Sequence, residues 1–246
     1  MSEAAETPLR ITPDMLLWRR VDFERRMRGW PRLTTGLVAA LVAVFTLEIV
    51  VGALDSREAL IAAGALWRPA VLAGEYWRLL AATFLHGGLE HLASNVVALY
   101  VLGMVGEHAF GWRQFAVLYA ASALGGSLAS LAVSTAPSVG ASGALFGLQG
   151  AAIVLFRRHH DRLLVRDRRI GVVLAVWAAL SIVGGLMSPY IDNAAHAGGF
   201  LTGWLVGGRL HPVVLEPMPE GQRRRVDRAL TVVGALLVYT LGGWLL

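Results

Sequence analysis

Residues 140–156 read GASGALFGLQGAAIVLF, and the chain continues RRHHDRLLVRDRR over 157–169. An uncharged run of about 17 residues that stops at paired arginines has the pattern of a membrane crossing, with apolar side chains in lipid and guanidinium groups at the headgroups. One polar group near its start stands out: Ser142, between Gly140-Ala141 and Gly143. A second run, NAAHAGGFLTGWLVGG over 193–208, carries His196 near its start. A polar group in such a segment is costly in lipid and calls for a functional or packing reason. A serine nucleophile served by a histidine base is one such reason.

Working outward, apolar segments fall at 35–54, 89–108, 112–133, 140–156, 170–188, 193–208 and 229–246. The whole chain of 246 residues is 56% hydrophobic and only 16% charged, too apolar for an ordinary soluble domain. Every basic residue is arginine, 22 in all. They cluster between the apolar segments instead of forming one basic surface, which argues against nucleic-acid binding and for a membrane topology. With seven spans, Arg10 to Arg32, Arg113, Arg157 to Arg169 and Arg209 to Arg228 share one side, and only Arg57, Arg68 and Arg78 face the other. The arginine-rich side is therefore expected to be cytoplasmic, with the C-terminus outside. The N-terminal MSEAAETPLR lacks the basic start and apolar core of a cleavable signal peptide. No cysteine is present, which excludes disulfides, thiolate catalysis and cysteine-ligated metal.

This topology places Ser142 and His196 at the outer ends of their spans, at matching depth. A serine at a helix start has unpaired backbone N–H groups and the positive end of the helix dipole beside it, which suit a developing oxyanion. Pro137 and Ser138 are expected to end the preceding loop and begin the helix. Gly143 and Gly147 on one span, and Gly199, Gly203 and Gly207 on the other, recur every four residues and form smooth stripes along which the helices can approach. The second span opens with HGGLEHLASN over 86–95, in which His91 and Asn95 share a helical face at the same depth and offer N–H donors. Asp192 lies four residues before His196 and reads as a helix cap, so a Ser/His dyad is favoured over a triad. The histidine cluster lacks any metal-binding signature. Trp77-Arg78 anchors the long outer connection 55–88, the guanidinium meeting a backbone carbonyl or carboxylate. Glu107 reads as structural, paired with Arg113; Trp112, Trp177, Trp204 and Trp244 read as packing or interface residues, and the last span as peripheral.

Taken together, Trp77-Arg78, His86, His91 and Asn95, the GASG of 140–143, and His196 with Gly199 and Gly203 make the chain resemble the rhomboid family of intramembrane serine proteases. The resemblance spans roughly 35–208. It implies an all-α polytopic membrane protein: a six-helix bundle over 35–208, a cytoplasmic segment over 1–34, and a cytoplasmic connection with a seventh helix over 209–246. It implies Ser142 as nucleophile and His196 as base and acid, with His91, Asn95 and the Ser142 backbone N–H as the oxyanion hole. His86 and Arg78 would support the outer loop, and no cofactor or metal is implied. Phe146 stands where many bacterial members have a tyrosine stacked on the histidine; the ring is retained and the hydroxyl is lost. Substrates would be membrane proteins with a transmembrane segment that unwinds easily, cut in a bacterial inner (plasma) membrane through a site opening outward. Regulation by a folded N-terminal domain is not expected. Two other functions share parts of the pattern. A non-proteolytic binder of transmembrane helices would keep the glycine stripes without needing a nucleophile. A transporter would place polar groups near mid-membrane instead of at one end.

Overall fold

The computed structural model of the chain describes residues 20–27, 29–164, 176, 183–185 and 191–245. Its elements run β1 (Val21–Asp22), α1 (Phe23–Arg26), α2 (Arg32–Val50), α3 (Arg57–Ala62), α4 (Arg68–Leu72), α5 (Arg78–Ala81), α6 (Leu89–Val133), α7 (Ser142–Arg158), β2 (Leu163–Leu164), α8 (Asn193–Gly207) and α9 (Glu220–Leu245). The segment 170–188, expected as the fifth span, lies outside the described residues apart from 176 and 183–185. The expectation of an all-helical chain needs one small correction. Val21 and Asp22 pair in parallel with Leu163 and Leu164, tying the first described residues to the connection after α7.

Among the described residues three helices, α2, α6 and α9, are long and apolar enough to cross a membrane. Helix α6 is two helices in sequence: Gly111 has φ 74° and ψ 155°, a backbone that other residues rarely adopt, and it separates 89–110 from 112–133. Each half is long enough, at about 33 Å, to cross a ~30 Å hydrocarbon core. Helices α7 and α8 have 17 and 15 residues. Helix α7 sits inside the bundle: Ala144, Leu145 and Ala151 are fully buried beside Leu99, Phe115 and Leu118 of α6 and Leu41 of α2, whereas α8 buries only Gly199, Gly203 and Gly207 and leaves Leu201 and Trp204 exposed. Apolar residues on α2 and α9 are left exposed, among them Val50, Val238 and Leu245, as lipid-facing surfaces require.

Glu107 does not pair with Arg113. Pro31 at the start of α2 offers no capping side chain, and the Glu107 carboxylate replaces it, accepting from Leu33 N–H at 3.0 Å and from Thr34 N–H and Oγ–H at 2.8 Å each. Arg113 instead pairs with Asp227 of α9 at 3.2 Å. Helix α9 also begins nine residues earlier than the apolar run suggests, because Glu220 to Arg228 favour helix although they are too polar for lipid.

The connection over 55–88 contains the short helices α3, α4 and α5. Arg78 is buried and meets both kinds of partner: Nε donates to Glu75 Oε2 at 2.8 Å, and Nη1 to Ile61 O at 2.5 Å and Ala65 O at 3.0 Å. Ser138 does not begin α7. It exchanges two 2.9 Å hydrogen bonds with Leu66, an antiparallel bridge joining the 55–88 connection to the loop before Ser142.

Candidate active site

Ser142 is the first residue of α7, and His196 lies in the first turn of α8. The Ser142 Oγ and the His196 Nε2 are 2.8 Å apart across 54 residues of sequence. With the imidazole proton on Nδ1, the serine hydroxyl donates to Nε2, the geometry for removing its proton. The glycine stripes account for this closeness. A Cβ built on Gly199 would fall onto the carbonyl of Gly143, one on Gly203 onto the carbonyl of Gly147, and one on Gly207 would lie 2.6 Å from Ala151 Cβ. The two backbones are therefore in contact along their length. Gly126 of α6 joins them, its Cβ position only 2.9 Å from Ala195 O and 3.2 Å from Gly143 Cα. Phe146, one turn after Ser142, stacks on the His196 ring at 4.2 Å between centroids and 23° between planes, which fixes the imidazole orientation.

Asp192 is occupied elsewhere. One carboxylate oxygen accepts from Ala195 N–H at 2.9 Å, capping α8, and the other accepts from the Ser130 hydroxyl of α6. It holds the start of the histidine-bearing helix without touching the imidazole nitrogens.

His91 packs against the backbone before Ser142. Gly140 has φ +119°, and a Cβ there would lie 2.7 Å from His91 Cε1 and Nε2. The His91 ring meets the His86 ring edge-on at 5.1 Å. Asn95 is buried; its Nδ2 donates to His91 O at 2.8 Å, while Oδ1 has no hydrogen-bond partner. One amide hydrogen of Asn95 is thus engaged with its own helix and the second is uncommitted. Ser142 opens α7, so the first N–H groups of that helix have no intrahelical partner beside the hydroxyl. A small open cleft lies beside Ser142, between Thr83, Ser127, Ser138, Gly140, Gly143 and Ala195.

One participant was absent from the sequence expectation. Glu48 of α2 is buried, and its carboxylate accepts from His86 N–H at 3.0 and 3.2 Å through its two oxygens. A lone carboxylate in an apolar span was the available signal, since such a group needs a partner. Burial, reinforced by His91 and opposed by the hydrogen bond to Phe84 O, lowers the His86 imidazole to about 4, so this loop histidine is neutral near pH 7. Among the described residues, no three His, Asp or Glu side chains are grouped to hold a metal ion.

A family model described as the Rhomboid domain matches residues 73–213. The chain is 35% identical over 192 residues to Rhomboid protease GluP of Bacillus subtilis (strain 168), covering 78% of this chain and 37% of GluP. It is 33% identical over 199 residues to Rhomboid protease AarA of Providencia stuartii, covering 71% of this chain and 70% of AarA. It is also 34% identical over 140 residues to Inactive RHOMBOID-like protein 8 of Arabidopsis thaliana, covering 56% of this chain and 39% of that protein. The chain thus spans well under half the length of GluP and of the plant relative.

Proposed function

The chain belongs to the rhomboid family of membrane proteins, and from that premise we propose that it is an intramembrane serine endopeptidase working through a Ser142–His196 dyad. The observation that carries the reading is the 2.8 Å approach of Ser142 Oγ to His196 Nε2. In this mechanism Oγ attacks the scissile carbonyl carbon as its proton passes to Nε2. The carbonyl oxygen becomes an oxyanion held by the Ser142 backbone N–H and by side-chain donors of His91 and Asn95. As the C–N bond breaks, His196 returns the proton to the leaving amine, and water then hydrolyses the acyl-enzyme by the same route. Asn95 engages the oxyanion with its second amide hydrogen. The cleft beside Gly140 and Ala195 takes a small substrate side chain.

The same reading has seven spans, with the arginine-rich connections in the cytoplasm and the site opening on the outer side of a bacterial inner membrane. Gly140, Gly143, Gly199 and Gly203 then serve catalysis by allowing close approach, and Phe146, His86, Trp77 and Arg78 by holding its frame. Substrates are membrane proteins whose transmembrane segment unwinds easily near the outer surface. The test is incubation of the purified protein with a panel of membrane-anchored substrates beside Ser142→Ala. The wild type is expected to cleave and Ser142→Ala to lose all cleavage with its thermal transition nearly unmoved. Cleavage by the Ser142→Ala protein at the wild-type rate overturns the assignment.

A further inference from the structure

Helix α9 lies beyond the residues matched by the Rhomboid domain. Along most of its length it has sparse packing, and Gly221, Gly234 and Gly242 have open space where a Cβ would stand. Its outer tip is different. Trp244 Nε1–H donates to Ala63 O in the outer connection at 2.7 Å, a bond across 181 residues. A Cβ on Gly243 would lie 2.5 Å from Cγ and Cδ1 of Trp77. A Cβ on Gly64, where φ is +115°, would lie 2.9 Å from Cζ3 of the same ring and 3.4 Å from Trp244 Nε1. The Trp77 indole is therefore held between one glycine of the loop and one glycine of α9.

From this contact a short path leads to the nucleophile. Ala63 and Gly64 precede Ala65, whose carbonyl accepts from buried Arg78, and Leu66, which forms the two-bond bridge with Ser138. Two residues later Gly140 N–H donates to Ala82 O at 2.9 Å, and the Gly140 backbone supports His91. Ala141 and then Ser142 follow. We propose that the outer tip of α9 positions the nucleophile loop, with Trp244 anchoring segment 61–66 and the Leu66–Ser138 bridge passing that constraint to Gly140 and the first turn of α7. Trp244 is a positioning residue and touches no reacting atom. Besides the Trp244 contact, α9 is held by Leu236 packed against the core, by buried Thr240, and at its opposite end by buried Val226 and the Asp227–Arg113 pair. Release of the tip should loosen the loop while the helix stays docked.

The effect on turnover rests on the protease reading above; the effect on the loop does not. The experiment uses the full chain and compares Trp244→Phe, which keeps a ring and loses the N–H donor, with Trp244→Ala and with Val226→Ala as a control at the other end of α9. Turnover of a membrane-anchored substrate, thermal stability, and amide exchange at Leu66, Ser138 and Gly140 are measured on each. Trp244→Phe is expected to lower kcat about 2- to 10-fold, the range for one lost hydrogen bond. Trp244→Ala should lower it by up to about 10²-fold, as for a misplacement of ~1 Å. KM should hold in both, and exchange at the three amides should accelerate. Val226→Ala should lower thermal stability with kcat and those amides unchanged. Wild-type kcat and exchange in Trp244→Ala overturn the proposal, and so does an equal loss in Val226→Ala. If no form cleaves, wild type included, the protease reading fails; faster exchange confined to the Trp244 variants then upholds the positioning role, and unchanged exchange overturns it.

Discussion

Gly199, Gly203 and Gly207 of α8 and Gly221, Gly234 and Gly242 of α9 are the same residue in two helices, placed in opposite surroundings. On α8 each glycine faces the backbone of α7 or Ala151, closely enough that a methyl group would displace it. On α9 each faces open space. Lipid supplies little hydrophobic force between helices, so association there depends on close contact and hydrogen bonds. The α7–α8 seam uses the first. Helix α9 uses the second, with a few side chains at its ends and long exposed faces between. Glycine thus sets a distance all along the α7–α8 seam and on α9 only at Gly243, against Trp77, and the four-residue spacing marks the seam.

The largest effect that could break this comparison is expected at Gly199. Gly199→Val drives its side chain into the Gly143 carbonyl, which cannot rotate away, so α8 must move and carry His196 with it. Turnover should fall by about 10²-fold or more for a shift of ~1 Å. Cleavage kinetics beside a thermal melt check this, and normal cleavage by the variant would mean that the seam does not set the Ser142–His196 distance. Next comes Phe146→Ala, which removes the ring stacked on His196 without touching the seam. A stacked pair contributes about 0.5–1.5 kcal/mol, so kcat should fall roughly 3- to 10-fold. A kcat equal to that of wild type would show that the seam alone orients the imidazole. The smallest effect is expected at Gly234. Gly234→Ala adds a methyl group where nothing lies within 4 Å, and turnover should stay within about twofold, as for substitutions away from packed features. A large loss there would erase the distinction between the two helices.

The limits of sequence reading follow the same division. Helix starts near 142 and 193 and the facing stripes were legible because apolar length and four-residue spacing are local patterns. The partner of Glu107 was misread. A glutamate six residues before an arginine suggests a local pair, yet both groups found partners far away in sequence, Glu107 at the uncapped start of α2 and Arg113 on α9. Ser138 was misread similarly, because a serine shortly before a helix resembles a cap until a loop more than seventy residues upstream is seen to bond it. Glu48 and Trp244 carried no periodic signal for their partners.

Sequence by itself determined which segments are apolar, that arginine clusters between them, and that a serine, histidines, an asparagine and two glycine stripes lie within or at the start of these segments. These are properties of composition and period along a single helix. Tertiary structure alone decided that the serine hydroxyl meets Nε2 of the histidine, that Glu48 bonds the backbone of His86, and that Trp244 of the last helix bonds Ala63. Each is a bond between groups far apart in the chain, and its geometry depends on helix rotation and depth, which packing fixes only when all the neighbours are in place.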